Sequence, residues 1–341
     1  MSSSHTLGGT SRPGRILGPS LDKIIKNVAW RKHAHLVSAC KSALDKLETL
    51  TDSPDPNPNS PIFGYSLADA ESFLQPLILA IDSASVKVVD PALECVFKLL
   101  SQGLIRGEID RPEGSESQSI GFRVIDSICK CGGLTDDGIE LAVLKVLISA
   151  IRSPFVLIRG DCLVNIAKTC YNVYLSSLSV TNQICAKAVL AQIVMIVFAR
   201  VEEDTMDVKV KAVSVSELLE LSDKSLSDGS LVQFVQSFIN EVMEGRELQN
   251  GGGAVSDAIG ESGGNGQLNE GGESGADSKI REDGVLLFKN LCKFSMKFST
   301  QENPEDPLLI RGKVLSLELL KVLMENGGPI WRTNERQVFL C

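Results

Sequence analysis

Between Thr135 and Val201 the chain runs through three consecutive apolar patterns of helical spacing with only short breaks, and no other stretch limits the fold as strongly. In the first, Ile139, Val143, Val146, Leu147, Ala150 and Ile151 recur at steps of three and four within Gly138 to Ile151, which predicts a helix buried along one face. Ser153 and Pro154 interrupt the pattern, and Leu163, Ile166, Ala167, Cys170 and Tyr174 resume it within Leu157 to Leu175. The third predicted helix follows Thr181 and Asn182, both able to act as its N-cap, and runs through Ile184, Ala188, Leu190, Ala191, Val194, Met195 and Phe198. These positions pack; they do not react.

The flanks read as further helices. Met1 to Pro19 is rich in Ser and Gly without periodic apolar positions, so disorder is expected there and order from Ser20. From that point Leu21, Ile24, Ile25, Val28, Leu36, Val37, Cys40, Leu44 and Leu47 trace one helical face, roughly 40 Å at 1.5 Å rise per residue. Pro54, Pro56, Pro58 and Pro61 mark a loop. Ser66, with Asp69 three residues on, resembles a capping box opening a helix that buries Leu67, Ala70, Phe73, Leu74, Leu77 and Ile81, with a kink expected at Pro76. Val86 to Leu100 supplies its antiparallel partner, Gly107 to Ser119 reads as a polar, acidic insertion, and Ile120 to Cys131 as the next helix. Ser214 to Leu221 and Leu231 to Val242 continue the pairing.

Helices recurring at intervals of roughly twenty residues, without a strict sequence period, predict an all-α fold, an armadillo-like or HEAT-like right-handed helical solenoid. Residues 20–244 form that solenoid in this reading. Gly245 to Ser278 differs in kind: eleven of its thirty-four residues are Gly and six are acidic, the composition of a flexible acidic linker. In residues 279–341, helices are expected over Ile280 to Phe298 and Leu308 to Asn326. Gly327, Gly328 and Pro329 then stop the second, and Thr333 or Asn334 caps another that reaches Cys341.

Composition narrows the function. A net charge of −9 argues against nucleic acid as the main partner, because neutralising phosphates takes a clustered basic face. Six of the nine cysteines, Cys40, Cys95, Cys162, Cys170, Cys185 and Cys292, fall inside apolar helical patterns, where thiols act as small hydrophobes, so a reducing compartment is expected. The first nineteen residues lack the apolar core of a secretory signal. Val189 to Ala199, broken by Gln192, falls short of the ~18 to 20 residues of a membrane span. The chain is therefore expected to be cytosolic, with any membrane contact peripheral.

No catalytic constellation, cofactor motif or metal site emerges. His33 and His35 are two apart and point to nearly opposite sides of a helix, and Cys129 and Cys131 have no second ligand pair at zinc-finger spacing. The Gly runs from Gly251 lack the strand, helix and Lys-Ser or Lys-Thr of a phosphate loop. The polar residues worth weighing are Tyr171, Asn172, Tyr174, Asn182, Gln183 and Lys187, gathered around the turn between the second and third helices of the opening stretch. In the structural reading Tyr174 packs, Asn182 caps, and Gln183 and Lys187 face water. In the functional one they form a partner-binding or domain-docking edge.

Several of these runs carry a family resemblance. Thr169-Cys170-Tyr171-Asn172-Val173-Tyr174-Leu175, Thr181-Asn182-Gln183, Ala186-Lys187-Ala188 and Val197-Phe198-Ala199-Arg200-Val201-Glu202 resemble the N-terminal dimerisation and cyclophilin-binding region of the large brefeldin-A-inhibited guanine nucleotide exchange factors for Arf GTPases. Ile128-Cys129-Lys130-Cys131, Thr135-Asp136-Asp137-Gly138 and Leu291-Cys292-Lys293-Phe294-Ser295-Met296-Lys297 extend the likeness, in the style of a plant member. The run Arg311 to Leu320, with Asn326-Gly327-Gly328-Pro329 and Arg332-Thr333-Asn334-Glu335, looks like the start of the homology domain upstream of the catalytic module.

The resemblance implies a regulatory scaffold in vesicle formation at the trans-Golgi network and early endosomes. Its expected partners are a second copy, the upstream homology domain, Arf/Arl-type small GTPases and, peripherally, the membrane. The family's exchange activity resides in a separate helical domain that does not occur in this sequence, so no exchange activity is expected of the chain itself. The alternative is a free-standing armadillo-like adaptor binding peptides or a small GTPase in its groove.

Overall fold

Side-chain caps set several helix starts. Ser66 Oγ accepts from the Asp69 N–H at 3.2 Å and donates to the Asp69 carboxylate at 2.5 Å, starting α3 (Leu67–Asp82). Ser119 Oγ accepts from Phe122 N–H at the head of α5 (Ile120–Cys131), and Asp136 from Ile139 N–H at the head of α6 (Asp137–Arg152). The computed structural model describes residues 7–29, 31–50, 60–111, 119–220, 229–244, 275–297 and 306–326. The other elements are α1 (Gly14–Asn27), α2 (Ala34–Thr49), α4 (Val86–Ser101), α7 (Gly160–Ser176), α8 (Val180–Glu203), α9 (Val215–Glu220), α10 (Gly229–Glu244), α11 (Gly275–Lys297) and α12 (Pro307–Asn326), with strands β1 (Gly107–Ile109) and β2 (Val156–Ile158).

The fold is all-α apart from that strand pair. The helices stack in two rows. In one, α2 packs on α3, α3 on α5, α5 on α7 and α7 on α11; in the other, α1 packs on α4, α4 on α6, α6 on α8 and α8 on α12. The core between the rows is aliphatic, with Leu17, Leu21, Phe73, Leu77, Leu93, Leu99, Leu147 and Ile166 essentially inaccessible. Seven cysteines are fully buried within it and Cys292 partly. Burial pushes the Cys131 thiol up to about 11 and the Cys40 thiol up to about 12.

Several expectations are corrected. Order does not wait for Ser20: α1 starts at Gly14 and already buries Ile16 and Leu17. The continuous face expected from Leu21 to Leu47 is cut after Asn27, and α2 starts at Ala34 as a separate helix. The polar insertion opens as β1, which pairs in parallel with β2, so α7 begins at Gly160 rather than at Leu157. The cap of α8 is Ser179, whose hydroxyl accepts from Asn182 N–H, and Asn182 itself turns inward. By length and composition α8 is apolar enough to cross a membrane, contrary to the shorter run read from the sequence; 89% of its apolar window is buried inside the fold, as in a core helix. The backbone of residues 275–278 belongs to α11, while the rest of the Gly-rich stretch and the helix expected after Thr333 lie outside the described residues.

The early start of α1 has a backbone cause. A Cβ on Gly18 would lie 2.2 Å from Leu7 O, so the segment before the helix runs against bare backbone. Gly18→Ala gains about 1 kcal/mol of helix propensity. The displaced backbone is expected to outweigh that gain, for a net loss of ~1–3 kcal/mol in urea unfolding; a stabilised variant would contradict this packing.

Candidate functional site

The turn between α7 and α8 is covered by α11 and α12. Amphipathic spacing places Leu315, Leu319, Val322 and Leu323 of α12 in the buried interior, together with Leu287, Phe288 and Leu291 of α11. Tyr171, Tyr174, Gln183 and Lys187 are brought together beneath these helices.

Tyr171 stacks on Phe294 of α11, ring centroids 5.0 Å apart and 22° between planes. Its hydroxyl is buried without a well-formed hydrogen bond, and burial raises the phenol pKa, the Ser316 hydroxyl pulling it part of the way back. Arg311 of α12 lies over the Tyr174 ring, 4.8 Å from its centroid, and donates to Tyr174 O at 3.3 Å and Gln183 Oε1 at 2.9 Å. Gln183 in turn donates to Ser177 O at 2.7 Å. Lys187 does not face water: its side chain is 4% exposed and its Nζ lies 2.8 Å from Glu318 Oε2, on a side chain 10% exposed. Neither Glu318 oxygen is in good hydrogen-bond alignment, so the pair holds by charge.

The other two candidates part company with these four. Asn182 is buried in a network of its own, its Nδ2 donating to Asp137 O and to Glu140 Oε2, both at 2.9 Å, while Ser177 Oγ donates to the same carboxylate oxygen. Asn172 points to solvent, its carbonyl accepting from Ser176 Oγ.

A second charged anchor holds the other end of α11. Arg159, immediately before α7, donates from Nε to Asp283 Oδ2 at 3.1 Å and from Nη2 to Glu282 Oε2 at 2.9 Å, and lies 3.5 Å from Glu108 of β1. Asp283 also accepts from Gly160 N–H at 3.0 Å, placing a carboxylate at the N-terminus of α7. Burial raises the Asp283 pKa, and the Gly160 N–H and Arg159 oppose that rise.

Residue-by-residue reading missed Arg311, Glu318, Phe294, Arg159 and Asp283. One signal was available: Arg311 and Glu318 lie seven apart, on the same face of α12 as Leu315 and Leu319, and a charge on an apolar face calls for a buried opposite charge. Lys187→Met alone leaves Glu318 buried without its countercharge and is expected to lower stability by ~3–5 kcal/mol. Adding Glu318→Leu should recover most of it. Urea unfolding of wild type, both single variants and the double variant measures the coupling, and a coupling near zero would remove the pair from the docking account.

Comparison with known proteins follows the same two-part division. Residues 14–205 match the family described as Mon2/Sec7/BIG1-like, dimerisation and cyclophilin-binding domain, and residues 280–341 match the Mon2/Sec7/BIG1-like HUS domain. The chain is 55% identical to brefeldin A-inhibited guanine nucleotide-exchange protein 1 of Arabidopsis thaliana, over 98% of its own length and 19% of that protein. It is 51% identical to protein 4 of the same series and organism, over 98% of its length and 20% of the relative, and 30% identical to the human protein 1 over 58% of its length and 11% of the relative. The chain thus spans about a fifth of its plant relatives. With the first match alone covering more than half of its residues, the chain belongs to the Mon2/Sec7/BIG1-like family, carrying the dimerisation and cyclophilin-binding domain and a HUS segment.

Proposed function

We propose that this chain is the regulatory, dimerisation and membrane-recruitment module of an Arf guanine nucleotide exchange factor in vesicle-mediated transport at the trans-Golgi network and endosomes, with no exchange activity of its own. The observation that carries this reading is the closure of α11 and α12, from the HUS segment, on α7 and α8, from the dimerisation and cyclophilin-binding segment, through Arg311, the Lys187–Glu318 pair and the Arg159 cluster. These groups dock helices. We read the two rows as an armadillo-like right-handed solenoid that runs without interruption from one segment into the other, a surface on which Arf/Arl-type GTPases and the membrane would act.

Self-association is assigned to the outer face of α12. Ile310, Val314 and Leu317, spaced four and three apart, are 50%, 37% and 51% exposed on the side away from α8. Light scattering at micromolar concentration is expected to give a species larger than one chain. Val314→Glu with Leu317→Glu should return it to a monomer with unchanged helical circular dichroism; a wild type that is strictly monomeric over the same range counts against the reading. A nucleotide-release assay on an Arf GTPase should read background with this chain, and clear stimulation would overturn the non-catalytic part.

A further inference from the structure

Positive charge gathers at the corner where α1 ends and α2 and α4 begin. The stretch from Lys23 to Lys41 holds five Lys and Arg and no Asp or Glu, in a chain whose acids outnumber its bases by 43 to 34. Lys32 N–H and His33 N–H both donate to Ala29 O, at 2.9 and 3.2 Å, and turn the chain tightly between the two helices. Asn27 Nδ2 donates to Lys87 O at 2.8 Å, which brings the head of α4 to the same corner. Arg31, Lys32 and Lys87 are all exposed there.

Among the described residues, none of these three side chains makes an ion pair, a hydrogen bond or a ring contact. The acids on the adjoining turns are engaged elsewhere: Asp22 lies 2.5 Å from Lys26, and Asp90 lies 3.8 Å from Lys23. The first turns of α2 and α4 contain no acid. Against the three cations stands the exposed carboxylate of Asp82 at the end of α3, so the corner keeps a positive surplus.

We propose that this corner docks on an anionic lipid surface; the inference rests on the membrane-recruitment reading above and names the face that meets the bilayer. Charge complementarity carries it. With a net charge of −9 the chain as a whole is repelled by an anionic membrane, which turns its positive corner toward the headgroups. Side chains that nothing orients do not select one phosphate in a fixed geometry, but they sum over a plane of headgroups, where each Lys or Arg strengthens binding about fivefold. Val86, 42% exposed beside Lys87, adds an apolar contact at headgroup depth. An acidic protein segment is held best by fixed, bidentate pairs, which free-standing side chains do not supply.

The test uses the full chain, without any GTPase, in co-sedimentation with phosphatidylcholine vesicles with and without phosphatidylserine. Wild type is expected to pellet only when phosphatidylserine is present and to lose binding as salt rises. Arg31→Gln with Lys32→Gln should weaken binding about 25-fold, and Lys87→Gln about a further fivefold, with unchanged circular dichroism. Lys209→Gln with Lys211→Gln, the same change in net charge at another exposed site, should leave binding unaltered. A second arm offers neutral vesicles carrying a GTP-loaded Arf GTPase. Binding there with none to phosphatidylserine overturns the corner and spares the recruitment reading; binding in neither arm overturns both. The proposal also falls if the two double variants weaken binding equally, or if wild type binds poly-glutamate and no vesicle, which assigns the corner to an acidic protein partner.

Discussion

A helix that is apolar on every side has to be covered on every side, and α8 imposes that condition on this molecule. From Ile184 to Val194 its residues are buried without a break, so no solvent-facing stripe remains. Cover comes from α6, α7, α10, α11 and α12 together. The docking of α11 and α12 is therefore part of the core. Without them one flank of α8 would carry exposed aliphatic surface, at roughly 25 cal/mol for each Å².

The polar side chains on α8 decide which neighbour covers which flank. Asn182 reaches Asp137 and Glu140 near the start of α6, and Lys187 pairs with Glu318 of α12. Gln192 donates to Lys211 O at 3.0 Å and accepts from Val213 N–H at 2.7 Å, fixing the extended segment before α9. Arg200 donates to Ser153 O and Met206 O, and burial lowers its pKa to about 10, with Asp207 opposing that drop. A buried polar group left unpaired costs ~1–3 kcal/mol, so each of these contacts penalises a shifted register that aliphatic packing alone would tolerate.

Much of this was legible in the sequence because helical periodicity and capping are local. The span of α5 and the Ser66 cap of α3 follow from residues a few positions apart. At the N-terminus glycine content signals chain entropy in the sequence but contact in the fold, where Gly18 lets Leu7 approach its backbone. The β1–β2 ladder was invisible because three-residue strands carry no period. At the site, Tyr171 to Lys187 stood out as a polar cluster, but its direction did not: Arg311 and Glu318 lie more than a hundred positions away, beyond any local pattern. Local pattern leaves Lys187 either facing water or on a docking edge, and among the described residues it is one of the most buried charges.

The two charged anchors of α11 and α12 differ in what they ask of the solvent. Within the Arg159 cluster, Asp283 has its folded pKa raised, so its contribution is full below the unfolded pKa and is lost as pH rises through the raised value. Glu108 behaves oppositely. Burial works to raise its pKa, but Lys279 and Arg159 together lower it, so its contribution is present above the unfolded pKa and is lost as pH falls through the lowered one. Acid therefore relieves the burial of one carboxylate while discharging the other, and the two responses offset around a single arginine. The Lys187–Glu318 pair sits deeper. Since a buried pair adds little stability over apolar residues of the same volume, its value lies in admitting one alignment of α12 on α8. We propose that register, more than binding strength, is what these charges supply to the closure of the two segments.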